Sequence, residues 1–266
     1  MLFIGMVVRC HVSDTARIDL TLLQRSCGQC SLRELCLPAG IPPADLKQLE
    51  AIVKKRRPVE RDGRLFRVGD PMHAVYVARK GAFKTVAISE DGEEQVIGFH
   101  LPGELIGLDA LGSGVHRCEA VALNVANVCE VPFGELSHVA AQIPGLQQQL
   151  LRVIGQSVGR DQQHMELLSR RQASERIALF LHGFGERLRN GGQSGIDFKL
   201  PMSREDIARF LGLAFETVSR GFTRLQEDDL ILIDGRRITL LDVERLDRVA
   251  HGVAAAKVTP LVAVAH

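Results

Sequence analysis

The sequence predicts an α+β chain: a small antiparallel β-roll, then one long helix, then a helical C-terminal domain that includes a β-hairpin. Three observations point there. Between Pro58 and Phe133, short β-rich runs recur about every ten residues, separated by turn signals. From Pro144 to Arg171 a single apolar period in steps of three, four or seven runs without a break. After Met202 two helical patterns stand back to back across a glycine, with a hairpin signal behind them.

At 266 residues and 45% hydrophobic content, the chain is long enough to build two cores. No apolar run approaches the roughly 20 residues of a membrane span. Met1 to Val8 is apolar but has neither a basic n-region nor a small-residue cleavage site. A cytoplasmic protein with no membrane partner is therefore expected. The net charge is +1, so a nucleic acid would have to be met by a local surface. Six cysteines are too sparse for a secreted disulfide scaffold.

Three of those cysteines, Cys27, Cys30 and Cys36, fall within ten residues. They cannot all pair among themselves, so a fourth ligand or an unpaired thiol is expected. Zinc accepts such spacing, but its sites usually come as two close pairs. A cluster of three plus a remote fourth is shared with iron–sulfur proteins. By spacing alone both Cys118 and Cys129 qualify as the fourth.

Beyond the thiols, Ile41-Pro42-Pro43-Ala44-Asp45 reads as a connector into a short helix. Runs such as Ala74-Val75-Tyr76-Val77-Ala78 and Thr85-Val86-Ala87-Ile88 then give the roll its strands, with turns at Asp62-Gly63, Val68-Gly69-Asp70-Pro71, Lys80-Gly81 and Asp91-Gly92. The long helix carries Leu146, Leu150, Ile154, Val158, Met165 and Leu168, a narrow stripe suited to one partner helix. Starting a seam at Ile154 gives Val158, Asp161, Met165 and Leu168. In a parallel homodimer the two Asp161 carboxylates would face each other and repel. Gly155 and Gly159 each weaken the helix by about 1 kcal/mol. Such a dimer would be marginal, and so open to switching.

In the C-terminal third, Ser203 can cap a helix with Asp206 at its third position, and Gly212 can turn the chain out of it. On the next helix Val218, Phe222 and Leu225 share one side; Glu216, Ser219, Arg220 and Thr223 share the other. Arg220 can take guanine bidentately, Glu216 can accept from a cytosine amino group, and Ser219 can do either. Glu216, Thr217, Ser219, Arg220 and Thr223, with Ser203, are the candidate DNA-binding residues. A hairpin across Asp234-Gly235 would hold Arg236 and Arg237 as a phosphate-contacting wing. Residues 200–250 nevertheless carry more acids than bases. The histidines do not cluster as an enzyme site would need, so no catalytic role is expected.

Over nearly its whole length the chain resembles the CRP/FNR family of transcription factors, and specifically its oxygen-responsive FNR branch. The resemblance is carried by Cys27-x2-Cys30-x5-Cys36-Leu-Pro, by the segments from Gly92 to Leu101 and from Gly107 to Gly114, by Val128-Cys129-Glu130-Val131-Pro132-Phe133, and by Glu216-Thr217-Val218-Ser219-Arg220. It implies a cyclic-nucleotide-binding-like β-roll, a dimerisation helix and a winged helix-turn-helix. The expected boundaries are 1–40 for the N-terminal extension and cysteine loop, 41–142 for the roll, 143–171 for the dimerisation helix, 172–251 for the DNA-binding domain and 252–266 for a tail.

The resemblance also implies a [4Fe–4S] cluster on Cys27, Cys30, Cys36 and Cys129, with Cys10 and Cys118 matching no family ligand. In the family, oxygen converts the cluster to a [2Fe–2S] form, the dimer separates and DNA affinity falls. Asp161 matches the family's seam aspartate, and Glu216, Ser219 and Arg220 its base-reading trio. The implied target is a palindromic promoter site of TTGAT and ATCAA half-sites, controlling anaerobic or microaerobic genes. RNA polymerase is the implied protein partner, through the loop Ser89-Glu90-Asp91-Gly92-Glu93-Glu94. Two departures stand out: Ala214 occupies a helix-capping position where Thr is usual, and Met1 to Thr15 is not covered. A relative answering a cyclic nucleotide would carry a hydroxyl after the arginine in Val115-His116-Arg117-Cys118-Glu119-Ala120, and none is there.

Overall fold

The computed structural model describes residues 27–55, 58–170 and 172–252. Cys10, the segment 1–15 and the tail from 253 onward lie outside the described residues.

Helix α1 (Pro43–Ile52) leads into eight strands: β1 (Lys54–Lys55), β2 (Arg64–Phe66), β3 (Ala74–Lys80), β4 (Phe83–Ile88), β5 (Glu94–His100), β6 (Leu105–Ile106), β7 (Glu119–Ala122) and β8 (Asn127–Pro132). α1 begins at Pro43, whose missing N–H suits a first turn, rather than at Asp45. The strands pair antiparallel in two four-stranded sheets, β1-β8-β3-β6 and β2-β7-β4-β5. Gly81 makes the turn between β3 and β4: its φ is +78°, and a Cβ there would lie 2.8 Å from the Ala126 Cα.

Each sheet is buried on both faces. Along β3, Ala74, Tyr76 and Ala78 point between the sheets, while Val75 and Val77 point outward. That outer face is covered by α1, by α2 (Phe133–Gln142) and by the start of α3 (Pro144–Ser169), through Leu49, Leu136 and Leu146. Burying each such leucine is worth about 2 kcal/mol relative to exposure. The other sheet's outer face, with Val86, Val96, Phe99 and Val121, packs on the C-terminal domain.

α3 begins with Pro144 at its first position and stops at Ser169, two residues short of expectation, because Arg170 turns to extended backbone. Its apolar residues belong to two faces. Leu146, Val153 and Leu167 are buried, and Leu150 packs beside them, so Leu146 and Leu150 are not part of an outward stripe.

The C-terminal domain comprises α4 (Ala173–Asn190), β9 (Asp197–Lys199), α5 (Arg204–Leu211), α6 (Phe215–Glu227), β10 (Ile231–Asp234), β11 (Arg237–Leu240) and α7 (Val243–Ala250). The expected hairpin is present, and β9 adds a third strand in the order β10-β11-β9. Ser203 and Asp206 form a reciprocal capping box on α5, which ends at Gly212 in the left-handed conformation, φ +61°. α6 starts from Ala214 with no side-chain cap.

One carboxylate joins the three parts. Glu104, between β5 and β6, accepts from Arg187 of α4 at 2.7 and 3.2 Å and from the Leu101 N–H at 2.9 Å, and lies 3.9 Å from Arg160 of α3. Burial opposes its ionisation, but Arg187 and Arg160 outweigh that and hold the carboxyl below the usual carboxylate range. Helix α5 also docks on the roll. Lys84 Nζ lies 2.6 Å from Asp206, Arg209 lies 2.7 Å from Glu94, and Gln95 donates to the Arg209 carbonyl.

Replacing Glu104 with Gln should destabilise the fold by about 2 kcal/mol, measured by urea unfolding, because two partly buried arginines lose their counter-charge. Its depressed folded-state pKa supplies stability that is present above the unfolded value of about 4.3 and is lost as pH falls through the lower folded value. The wild type should therefore lose unfolding free energy below about pH 4, and Glu104→Gln should lose less over the same range. Ala214→Thr should cap α6 and stabilise the chain by about 1 kcal/mol, read as a raised Tm.

Candidate thiol centre, dimer face and nucleic-acid interface

Between Cys27 and Cys36 the backbone runs through two 3-10 turns, Cys27–Gln29 and Arg33–Leu35. Hydrogen bonds from Cys30 N to Cys27 O and from Arg33 N to Cys30 O tighten the path. The loop is pulled down by Leu37 and Ile41, 2% and 1% exposed, which enter the core under α1, α2 and α3. Two side chains fasten it. Glu50 of α1 accepts from the Gly28 N–H at 3.0 Å, and Gln149 of α3 donates to the Cys36 carbonyl at 2.9 Å.

Cys129 lies on β8, opposite Val77 of β3 and Lys55 of β1. The strand alternation turns Val128 into the space between the sheets, and Cys129 and Val131 outward. Cys129, Cys27 and Cys36 consequently pack against the same apolar cluster. Burial pushes the Cys36 thiol well up; a hydrogen bond from Leu37 N–H partly offsets this, and Cys129, Cys27 and Cys30 add to the rise. Cys36 thus has the other three thiols as electrostatic neighbours. Among the described residues, no three His, Cys, Asp or Glu side chains close around a position for a single metal ion. The donor set still fits a sulfur-ligated iron centre: it is all thiol, and Cys27, Cys36 and Cys129 are partly buried against apolar side chains.

Cys118 lies elsewhere, 2% exposed in the core between the sheets. Burial raises its pKa, and the adjacent Asp109 carboxylate, its hydrogen-bond partner, raises it further. The same carboxylate sits 3.1 Å from His116 Nδ1 and accepts from the Arg117 N–H at 2.8 Å. His116 stacks on Phe66 at 3.6 Å between ring centroids. The roll interior at this point is filled by rings and carries a negative group.

The outward face of α3 presents Val158, Met165 and Leu168 at 49%, 63% and 36% exposure, with Ile154 half-buried and Asp161 exposed among them. Leu151, 65% exposed, continues the stripe and was not among the expected seam residues. Its signal is the period of seven: 151, 158, 165 interleave with 154, 161, 168 as the two apolar positions of a heptad. Although exposed, Asp161 is partly shielded from water by its neighbours, which raises its carboxyl above the usual value, against lowering by Arg160 and His164.

On α6, Val218, Phe222 and Leu225 are buried, and Glu216, Arg220 and Thr223 are exposed, with Thr217 and Ser219 half-buried. Arg220 Nε and the Thr223 hydroxyl donate back to the Glu216 and Ser219 carbonyls, at 3.3 and 3.2 Å. Phe215, 49% exposed at the first position of the helix, adds an apolar surface suited to a thymine methyl. Two expected contacts are otherwise engaged. The Ser203 hydroxyl serves the capping box, and Arg237 pairs with Asp197 on β9 at 2.8 and 2.5 Å, so the wing offers Arg236 more freely than Arg237.

The profile of the Crp-like helix-turn-helix domain matches residues 175–249, and that of the cyclic nucleotide-binding domain matches residues 56–142. Transcriptional activator protein Anr of Pseudomonas protegens is 46% identical over 86% of this chain and 94% of its own. The fumarate and nitrate reduction regulatory protein of Escherichia coli K12 is 38% identical over 84% and 90%. Among solved structures, FixK2 from Bradyrhizobium japonicum superposes with a TM-score of 0.67 at 31% identity, over 74% of this chain and 97% of that one. With its roll, long helix and helix-turn-helix, the chain belongs to the CRP/FNR family of DNA-binding transcription regulators, in its FNR-type group.

Proposed function

We propose that this regulator senses oxygen through a [4Fe–4S] cluster held by Cys27, Cys30, Cys36 and Cys129, and that the state of this centre sets dimerisation along α3 and hence affinity for DNA. The observation that supports the reading is that two of the loop thiols, Cys27 and Cys36, pack with Cys129 on one apolar cluster that also includes the start of α3, the helix that bears the outward heptad. Names such as anaerobic regulatory protein of Haemophilus influenzae among the relatives support it. A [4Fe–4S] cluster supplies reactivity toward oxygen at that pocket.

The chain's own residues do the rest. The four thiolates tie the Cys27–Cys36 loop to β8. Without that tie the loop is held by the burial of Leu37 and Ile41 and by its hydrogen bonds to Glu50 and Gln149. The seam Leu151, Ile154, Val158, Met165 and Leu168 drives pairing of two copies, and facing Asp161 carboxylates oppose it. The balance lies close to zero, where a modest bias decides it.

In the dimer the two α6 helices would enter successive major grooves about one turn, ~34 Å, apart. Arg220 would take guanine, Glu216 the cytosine amino group, and Ser219 a neighbouring edge, fitting TTGAT and ATCAA half-sites. The Ser89–Glu93 turn is exposed and free to meet RNA polymerase, whereas Glu94 is held by Arg209. No helix of the described residues is long and apolar enough to cross a membrane, in keeping with work on DNA in the cytoplasm. A cyclic nucleotide is disfavoured, since its phosphate would approach Asp109 in a space that Phe66 and His116 already fill.

Purified without oxygen, the protein should be brown and lose that visible absorbance in air. Cys129→Ala should abolish the absorbance and bound iron, while Cys118→Ala keeps both; the reverse result would move the fourth ligand. Asp161→Ala should remain dimeric in air by sedimentation, where the wild type becomes monomeric; air-sensitive dissociation in the mutant would refute the seam repulsion.

A further inference from the structure

Gln149 is the one polar residue of α3 that is buried, at 6% exposure, in a helix whose neighbouring Gln147 and Gln148 are exposed. Its amide donates at 2.9 Å to the carbonyl of Cys36, a bond across 113 residues of sequence. Around it Leu146 and Val153 of the same helix meet Leu37 and Ile41 of the thiol loop. A loop that departs must therefore break the Gln149 bond, and Leu37 and Ile41 must leave the buried cluster that they share with Leu146 and Val153.

The direction of the contact matters as much as its burial. Successive helix residues rotate by about 100°, so Leu151 projects about 200° around the axis from Gln149. Gln149 pins α3 from behind, and the seam projects from the opposite side of the same turns. We propose that Gln149 is the positioning residue that couples the thiol loop to the dimer seam: with the loop in place it holds α3 in the setting in which Leu151 and Ile154 can pair. This rests on the oxygen-sensing reading above, and adds to it the route by which the thiol centre is felt at the seam.

The test compares the full-length wild type with Gln149→Met, which keeps length and apolar contact but has no amide, and with Gln149→Asn, whose shorter amide cannot reach Cys36. Gln156→Met, at an exposed position outside both heptad seam positions, is the control. Each protein is reconstituted with iron and sulfide without oxygen. Visible absorbance and iron per chain are recorded, and the dimer Kd is measured by sedimentation for the iron-loaded form and the apoprotein.

Both Gln149 variants should load iron like the wild type. Their loaded dimers should dissociate with a Kd raised about fivefold, as expected for one lost buried hydrogen bond. Their apoproteins should match the wild-type apoprotein. Amide hydrogen exchange of residues 36–41 should quicken by a similar factor in the loaded variants, and Gln156→Met should change nothing. Equal weakening of loaded and apo dimers would overturn the proposal by showing a merely structural effect on α3. An unchanged loaded dimer, or loss of iron loading, would overturn it too. In all three cases a brown, air-sensitive wild type leaves the oxygen reading standing, whereas a wild type that takes up no iron defeats both.

Discussion

The Glu104 carboxylate is the constraint on which the arrangement of the molecule depends. An ion so enclosed is tolerable only when its partners are present, and they come from two different places: Arg187 on the first helix of the DNA-binding domain and Arg160 on the long helix. Neither arginine can leave without stranding a charge. Beside them His100, lowered to about 4 chiefly by burial, stays neutral at physiological pH and adds no competing cation. Arg160 is also the immediate neighbour of Asp161. The helix therefore places, side by side, the residue that fastens it to the roll and the one acidic residue of its outward stripe.

That docking gives the DNA-binding domain a fixed seat. α5 lies on the β4–β5 hairpin, with Phe210 between Phe99 and His164, at 5.0 and 3.9 Å between ring centroids. His164 closes the contact through its Nε2 to the Phe210 carbonyl at 2.8 Å, which sets the proton on that nitrogen. α6 is left with its polar face outward. The first turn of α6 has no side-chain cap, so its backbone N–H groups have no side-chain acceptor at Ala214.

What the sequence made legible follows the range of the interactions involved. The roll was readable because its turns rest on local glycines, and the helix-turn-helix because Ser203, Asp206 and Gly212 speak for themselves within one short stretch. β9 was not readable, since Asp197-Phe198-Lys199 has little strand character of its own and is extended by pairing with β11. The long helix showed its period but not that Leu146 and Leu150 face inward, which only the packing of α1 and α2 decides. The occupation of Arg237 by Asp197 was equally hidden, being a contact across 40 residues. Cys27, Cys30 and Cys36 stood out at once as a group. Distance along the chain makes Cys118 and Cys129 equivalent, whereas the fold turns Cys118 between the sheets and Cys129 outward, toward the cluster that Cys27 and Cys36 join.

Strand β8 is therefore a partition with a chamber on each side. The chamber between the sheets is packed with the Phe66, Tyr76 and His116 rings, and the face outside carries Cys129 against the cluster that Cys27 and Cys36 join. Which one a residue of β8 enters depends only on parity. Were the strand to slide by one position against β3, Val128 would take the place of Cys129 at the thiol pocket and the sulfur would be sealed among Tyr76 and Ala78. The placement of the Cys129 sulfur is in this sense fixed by counting along a ladder, in which Cys129 stands opposite Val77.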